Sequence, residues 1–168
     1  MSYNLKSFAL VISLASIALS CSNPFPNRLP PITSEGLGTF AYKADGEVQK
    51  GCVEGLFETA SSADFVADTV FTLSGSCGEH TLSILLKKKE ELLENVDYKL
   101  NQTRSFINYI PPSGIDYRSN SEDGSNAMIR FHKIDKEKRI IAGTFSGKVF
   151  SSDGDLIEIT EGRFDQIY

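Results

Sequence analysis

The sequence predicts an all-β fold: a single antiparallel β-sandwich or partly closed barrel of roughly eight or nine strands, with at most one short helix, preceded by a signal peptide and a tether. Three observations carry this expectation. Apolar residues recur at period two through several runs of residues 36–168. Asp-Gly pairs separate runs of that kind. Four of the six prolines, Pro24, Pro26, Pro30 and Pro31, are gathered ahead of the domain, where they interrupt no strand.

Residues 1–20 differ in kind from the rest, with one cation, Lys6, no acid, and the apolar run Phe8–Leu19. A short basic start, an apolar stretch and a small residue before the break describe a secretory signal peptide. The run is short for a membrane span, which needs about 20 apolar residues, so a retained signal anchor is the alternative. Ala18-Leu19-Ser20-Cys21 resembles the lipobox of bacterial lipoproteins, with Ala18 where that box usually has Leu. The resemblance implies cleavage before Cys21 and acylation of it, palmitate included. Several acyl chains hold firmly where one holds only marginally. Cleavage removes one lysine and no acid, so the net charge moves from −5 to −6 and 148 residues remain. That length can bury roughly two thirds of its unfolded surface, enough for one core.

Residues 21–35 read as a lipidated, Pro-rich tether, ~3 Å per residue if extended. The alternative is that Leu29–Ile32 packs on the domain as an edge segment. Surface-exported lipoproteins of Bacteroidota carry a signal resembling an acid cluster just after the cysteine, and Ser22–Arg28 holds no acid. The expected location is therefore the periplasmic face of a bacterial outer membrane, with surface exposure the alternative.

Beyond Glu35, Asp45-Gly46 predicts a hairpin between Phe40-Ala41-Tyr42 and Val48. Phe65, Ala67, Thr69, Phe71 and Leu73 alternate with polar or outward positions and predict one strand. Gly75–Gly78 breaks it, and Leu82, Ile84 and Leu86 resume the period. Leu85–Glu94 (LLKKKEELLE) reads either as a helix of one or two turns or as a charged connection. Lys87, Lys88 and Lys89 read as a solvated face, with an anionic partner such as a lipid head group as the alternative. Ala127, Ile129 and Phe131 form one face of a strand, and Ile141, Phe145 and Val149 share a face with Gly143 and Gly147. Asp153-Gly154 predicts a second hairpin before Leu156–Thr160.

The runs Ala127–Asp135, Arg139–Gly147 and Ile157–Asp165, with the opening Leu29-Pro30-Pro31 to Phe40 and Asp45-Gly46, resemble a family of small Bacteroidota lipoproteins known as a domain of unknown function. Its members close on "I-I-S-G-T-F" and "I-T-x-G-R-F-D" strands; here Ala142 stands in place of the Ser. The resemblance implies a lipid-anchored β domain and supplies no activity and no catalytic residue. Physically, Gly143 and Gly147 suit a bend or the close approach of another backbone. Gly162 suits a bulge before Phe164. Arg163 and Asp165 share the face opposite Phe164, where cross-strand ion pairs are expected.

Little of the chemistry expected of an enzyme is visible. With Cys21 lipidated, Cys52 and Cys77 remain as an even pair in an oxidising compartment. A disulfide between them would close a loop of about 25 residues and contribute roughly 3 kcal/mol; two buried thiols are the alternative. Cys77-Gly78-Glu79-His80 lacks the second pair that structural zinc needs, so no metal and no cofactor is expected. His80 has the parity of Leu82 and begins a strand at the core edge, whereas His132 has that of Arg130 and faces solvent or a second sheet. Glu122-Asp123-Gly124 and Asp153-Gly154-Asp155 read as turns rather than Ca²⁺ loops. The excess of 22 acidic over 17 basic residues argues against nucleic acid.

Phe106, Tyr109 and Tyr117, around Pro111-Pro112, are the candidate binding patch. The expected role is a non-enzymatic binding or assembly module, held to the membrane through Cys21, with an unidentified envelope protein or glycan as partner. The alternative is a hydrolase of glycan or cell-wall substrates, which would need two carboxylates ~5–9 Å apart.

Overall fold

The computed structural model describes residues 28–50, 61–77, 79–119 and 124–168, and among these no helix forms. The described residues form twelve strands in one antiparallel sheet: β1 (Thr39–Ala44), β2 (Glu47–Lys50), β3 (Ser61–Val66), β4 (Val70–Cys77), β5 (His80–Lys87), β6 (Asp97–Lys99), β7 (Asn101–Gln102), β8 (Ser105–Ile110), β9 (Tyr117–Arg118), β10 (Met128–Asp135), β11 (Ile140–Phe150) and β12 (Leu156–Ile167). The order is β2-β1-β12-β11-β9-β8-β5-β4-β3. The sheet forks at β11, whose first half pairs β10 and whose last residue pairs β9. The strand count exceeds the expected eight or nine because β6, β7 and β9, two or three residues each, stitch the fork together.

The sheet curls into a half-barrel, the partly closed form of the predicted fold. Its far strand, β3, returns toward β12: the Gln166 side-chain amide donates to the Thr39 carbonyl at 2.8 Å and to the Ser61 hydroxyl at 2.9 Å. Phe65 meets Tyr168 edge to face at 5.4 Å. Inside, Phe71 of β4 contacts Phe131 of β10 at 5.0 Å and Phe164 of β12 at 5.3 Å between ring centres. These three rings are almost wholly buried, each worth about 2–3 kcal/mol of apolar burial. They bridge opposite walls of the curl.

Three glycines make room for the rings. A Cβ on Gly75 would lie 2.3 Å from the Phe40 ring, and one on Gly162 would lie 2.5 Å from Phe145. At Gly143 it would lie 2.3 Å from the Arg130 carbonyl oxygen, and at Gly147 2.4 Å from the Ala127 Cα, so the close approach expected at Gly143 and Gly147 is present. The bulge expected near Gly162 is there too, with Glu161 as the inserted residue at positive φ (51°).

The two Asp-Gly hairpins form. Asp45 and Gly46 both have positive φ, the signature of a tight two-residue turn. The second loop spans Ser151–Asp155, and only Gly154 needs positive φ. The Ser151 hydroxyl organises it by accepting the N–H groups of Asp153 and Asp155.

Two expectations are corrected. The alternation from Phe65 to Leu73 is two strands, because Ala67 and Asp68 take positive φ (50° and 58°) and fold the run into a hairpin without glycine. Of the two readings of Leu85–Glu94 the helix does not form and the charged connection does: Leu85, Leu86 and Lys87 finish β5, and the rest is a loop capping the half-barrel. Leu92 is drawn into the core, its N–H donating to the Asp68 carbonyl, while the Asn95 N–H donates to the Phe131 carbonyl. Those bonds consume donors a helix would use internally. Lys136 ties the cap down by pairing with Asp68 at 2.8 Å and Glu91 at 2.7 Å.

Arg163 and Asp165 do not form the expected cross-strand ion pair with each other's neighbours on the sheet. They hold the segment that precedes β1. Arg163 donates to the Pro30 carbonyl at 2.7 Å, and it lies 3.7 Å from Glu161. Asp165, 1% exposed, accepts the Thr33 hydroxyl at 2.6 Å and the N–H groups of Glu35 and Gly36 at 3.0 and 2.7 Å. The tether predicted to reach residue 35 thus ends earlier, and Pro30–Leu37 is a strap on the outer face of β12. Burial pushes the Asp165 carboxyl up, but the Thr33 hydroxyl and the N–H groups of Glu35, Gly36 and Leu37 outweigh it and hold the group below the ordinary Asp range.

A carboxyl whose pKa is lower folded than unfolded adds stability above its unfolded value near 4, and this is lost as pH falls through the folded value. Asp165→Asn is therefore expected to flatten the acid limb of a stability-versus-pH curve. Asp165→Ala should cost about 2–4 kcal/mol at neutral pH in denaturant unfolding and expose Thr33–Leu37 to hydrogen exchange. An unchanged acid limb in both variants would remove the clamp from this account. Gly143→Ala is expected to cost more than about 2 kcal/mol in the same unfolding assay, because the new methyl meets a backbone carbonyl that β10 cannot withdraw.

Candidate functional site

The antiparallel order places the ends of β3, β5, β10 and β12 together, and this capped end carries a basic cleft. Lys87 closes β5, Lys88 and Lys89 begin the cap, and Thr103 and Arg104 precede β8. These five residues line a cleft of about 450 Å³. Ser105, almost fully buried, fixes the two sides: its hydroxyl accepts the Lys87 N–H at 3.1 Å and donates to the Lys87 carbonyl at 3.2 Å. Arg118 supports the Thr103 side by donating to its carbonyl at 3.3 Å while its guanidinium stacks on the Phe106 ring at 3.5 Å. No carboxylate lies in the lining, and among the described residues none pairs with Lys87, Lys88, Lys89 or Arg104. A second cleft of about 460 Å³ shares Lys88 and Lys89 and is lined beyond them by Glu90, Glu91, Leu93, Val96, Asp97 and Tyr98. The Lys88 ammonium sits 5.8 Å from the Tyr98 ring centre.

The residues proposed from sequence as a binding patch are not brought together at the surface. Tyr109 and Tyr117 are 2% and 8% exposed and face each other across β8 and β9 inside the half-barrel. Phe106 lies on the opposite face of β8, half-covered by Arg118. Strand alternation fixes this separation, since residues 106 and 109 differ in parity. The signal that finds the basic cleft was available in Lys87–Lys89. Arg104 was not legible, because only the pairing of β5 with β8 brings it alongside.

A polar group lies within the apolar interior toward the other end. His80 begins β5, as its parity predicts, and its Nδ1 is 2.7 Å from the Tyr109 hydroxyl. Burial, then the charges of Asp45 and Glu47 and the neighbouring Tyr117, push the Tyr109 phenol up to about 12. Tyr42, 1% exposed, has its pKa raised by burial first and by Tyr109 second, and its hydroxyl has no hydrogen-bond partner among the described residues. His132, at the bulge in β10, has its Nε2 3.2 Å from the Thr144 hydroxyl. Among the described residues no three His, Cys, Asp or Glu side chains gather as metal ligands. Cys21 and Cys52 lie outside the described residues, as do Glu122 and Asp123. Cys77 is described only as the last residue of β4, so the Cys52–Cys77 pairing falls outside as well.

Tyr42→Phe removes a buried hydroxyl that bonds to none of the described residues, so stability should hold or rise by up to about 1 kcal/mol. Tyr109→Phe should instead cost about 1 kcal/mol by leaving the His80 nitrogen unpaired. Denaturant unfolding of both variants checks the contrast, and equal losses would show that Tyr42 has a partner.

No protein-family model, no curated protein and no solved structure matches this chain, so its likeness to other proteins contributes nothing to reading the basic cleft.

Proposed function

We propose that this protein is a lipid-anchored module of the bacterial cell envelope, acylated on Cys21, that binds or assembles with other envelope components without catalysing a reaction. The observation that carries the reading is the clamp on the strap. The chain is fastened to β12 from Pro30 onward by Arg163 and Asp165. Eight residues, Ser22–Leu29, then separate the clamp from Cys21. At ~3 Å each they hold the domain within about 25 Å of the lipid. The lipobox-like Ala18–Cys21 and the resemblance to small Bacteroidota lipoproteins support the same reading, and the periplasmic face of the outer membrane is the proposed location. A short tether ending in a fixed clamp keeps a domain beside the bilayer and restricts its rotation.

Growth of cells expressing the full chain with a radiolabelled or alkyne-bearing palmitate should label the protein and place it in the outer-membrane fraction. Cys21→Ser should abolish the label. A labelled Cys21→Ser protein, or an unlabelled parent, would exclude the anchor.

A further inference from the structure

The geometry points to the capped end of the half-barrel as a second membrane contact, in which the basic cleft takes the phosphate of an anionic phospholipid headgroup and the exposed cap residues enter the bilayer interface. This deepens the reading above, on which it rests in one respect: it takes the protein to work beside a membrane.

Charge complementarity is the first argument. Lys87, Lys88, Lys89 and Arg104 converge with the Thr103 hydroxyl on one cleft, within a chain of net charge −5. Four like charges in one cleft repel each other, and no carboxylate of the lining offsets them. A phosphodiester supplies the missing charge together with acceptor oxygens for ammonium, guanidinium and hydroxyl donors. A nucleic acid also offers phosphates, but it would leave the exposed apolar side chains beside the cleft unused.

The chemistry next to the cleft is the second argument. Lys88 and Lys89 also border the neighbouring cleft, where Glu90 is exposed, Glu91 is paired with Lys136 and Asp97 with Arg130, and where Leu93 and Val96 project to solvent, 54% and 39% exposed. Val66, in the adjoining hairpin of the same end, is 58% exposed. Leu93 donates its backbone N–H to the Tyr98 hydroxyl at 2.7 Å, which fixes the loop while leaving the side chain outside. Cations flanked by apolar tips match an interface in which headgroup phosphates lie just above acyl chains. A soluble anion would use the cations and leave the apolar tips idle.

The fold supplies the third argument. The opposite end of the half-barrel gathers Asp45, Glu47, Glu79, Asp116, Asp153 and Asp155 at or beside its turns. The capped end carries acids too, but Asp68 and Glu91 pair with Lys136, Asp97 with Arg130 and Asp135 with Lys133, so an anionic surface would repel the turn end more than the capped one and orient the tethered domain. Each cation near such a surface is worth about a factor of five, roughly 1 kcal/mol.

The chain contains no Trp, so a single tryptophan reports locally. The full chain carrying Leu93→Trp is reconstituted in vesicles of phosphatidylcholine alone or of phosphatidylcholine with phosphatidylglycerol, and its emission is recorded. The expected result is a blue shift and protection from aqueous quencher only when phosphatidylglycerol is present. Lys87, Lys88 and Lys89 should resist acylation in those vesicles while Lys43 and Lys148 do not. Lys87→Gln, Lys89→Gln and Arg104→Gln combined on that background, all exposed positions, should weaken the fluorescence response on the order of a hundredfold in phosphatidylglycerol requirement. High salt should weaken it too.

Inorganic phosphate at matched concentration should not reverse the shift. If it does, the cleft takes free phosphate and the membrane assignment is overturned. An equal shift in both vesicle types, or one indifferent to the three substitutions, overturns it as well. None of these outcomes depends on Cys21, because the palmitate experiment tests the anchor separately.

Discussion

The fold depends on how a single sheet fills its own interior. One sheet curled on itself has no second layer to bury against, so the volume inside the curl must be occupied by side chains from facing walls. Phe71, Phe131 and Phe164 do this at one level, and Phe40, Tyr42 and Phe145 at another. Rings that large fit only where the facing backbone is bare. Gly75, Gly143 and Gly162 supply that clearance, the last two as cross-strand partners of Phe164 and Phe145. Packing at interior density leaves no slack for a methyl at these points. Strand β12 lies at the centre of this arrangement, since it carries Phe164 and Gly162 on the inside and Arg163 and Asp165 on the outside.

That central position explains why the polar clamp sits where it does. A buried carboxylate is costly unless every acceptor site is used, and the strap provides hydroxyl and backbone donors together at Asp165. The strap in turn covers the outer face of the strand on which the core rings depend. Sequence that reads as a loose leader therefore belongs to the folded unit from Pro30 onward, and the chain reaches its clamp before it enters the first strand. Closure at the far edge uses the same strand, through Gln166 and Tyr168.

The strands that the sequence reveals plainly are those with one face buried and a glycine-bearing turn, such as the β1–β2 hairpin around Asp45-Gly46. The hairpin at Ala67-Asp68 was hidden because neither residue announces positive φ and the period of two runs unbroken through it. The cap was hidden for the opposite reason. LLKKKEELLE has helical composition, but the Leu92 N–H donates to the Asp68 carbonyl, and the Asn95 N–H just after the segment donates to the Phe131 carbonyl, both acceptors being brought by distant parts of the chain. Tertiary partners overrode local propensity there. The motif residues Arg163 and Asp165 were legible as a pair on one face, while their partners, 130 or so positions earlier, were not. Likewise the aromatic triplet Phe106, Tyr109 and Tyr117 looked contiguous in sequence, and alternation sent it to two faces.

The contrast between the cap and the clamp bears on what each end of the molecule is free to do. At the clamp, the two charged groups of β12 are consumed internally: Asp165 by the strap and Arg163 by Pro30 and Glu161. At the cap, the internal bonding is done by backbone groups, by Ser105, by the Tyr98 hydroxyl and Glu94 carboxylate, and by Lys136, with Asp68 and Glu91 neutralising that one lysine. Among the described residues the side chains of Lys87, Lys89 and Arg104 take no part in it, Lys88 lies only over the Tyr98 ring, and the side chains of Leu93 and Val96 stay outside it. Surface ion pairs stabilise little, so the absence of pairing costs the fold little. The exposed Lys87, Lys89, Arg104, Leu93 and Val96 side chains are thus energetically decoupled from folding, whereas Leu92 and Lys136 of this end and the side chains of the clamp are not. Substitutions at the cap can change what the surface attracts without changing whether the chain folds, and a contact surface built on a small half-barrel needs that independence.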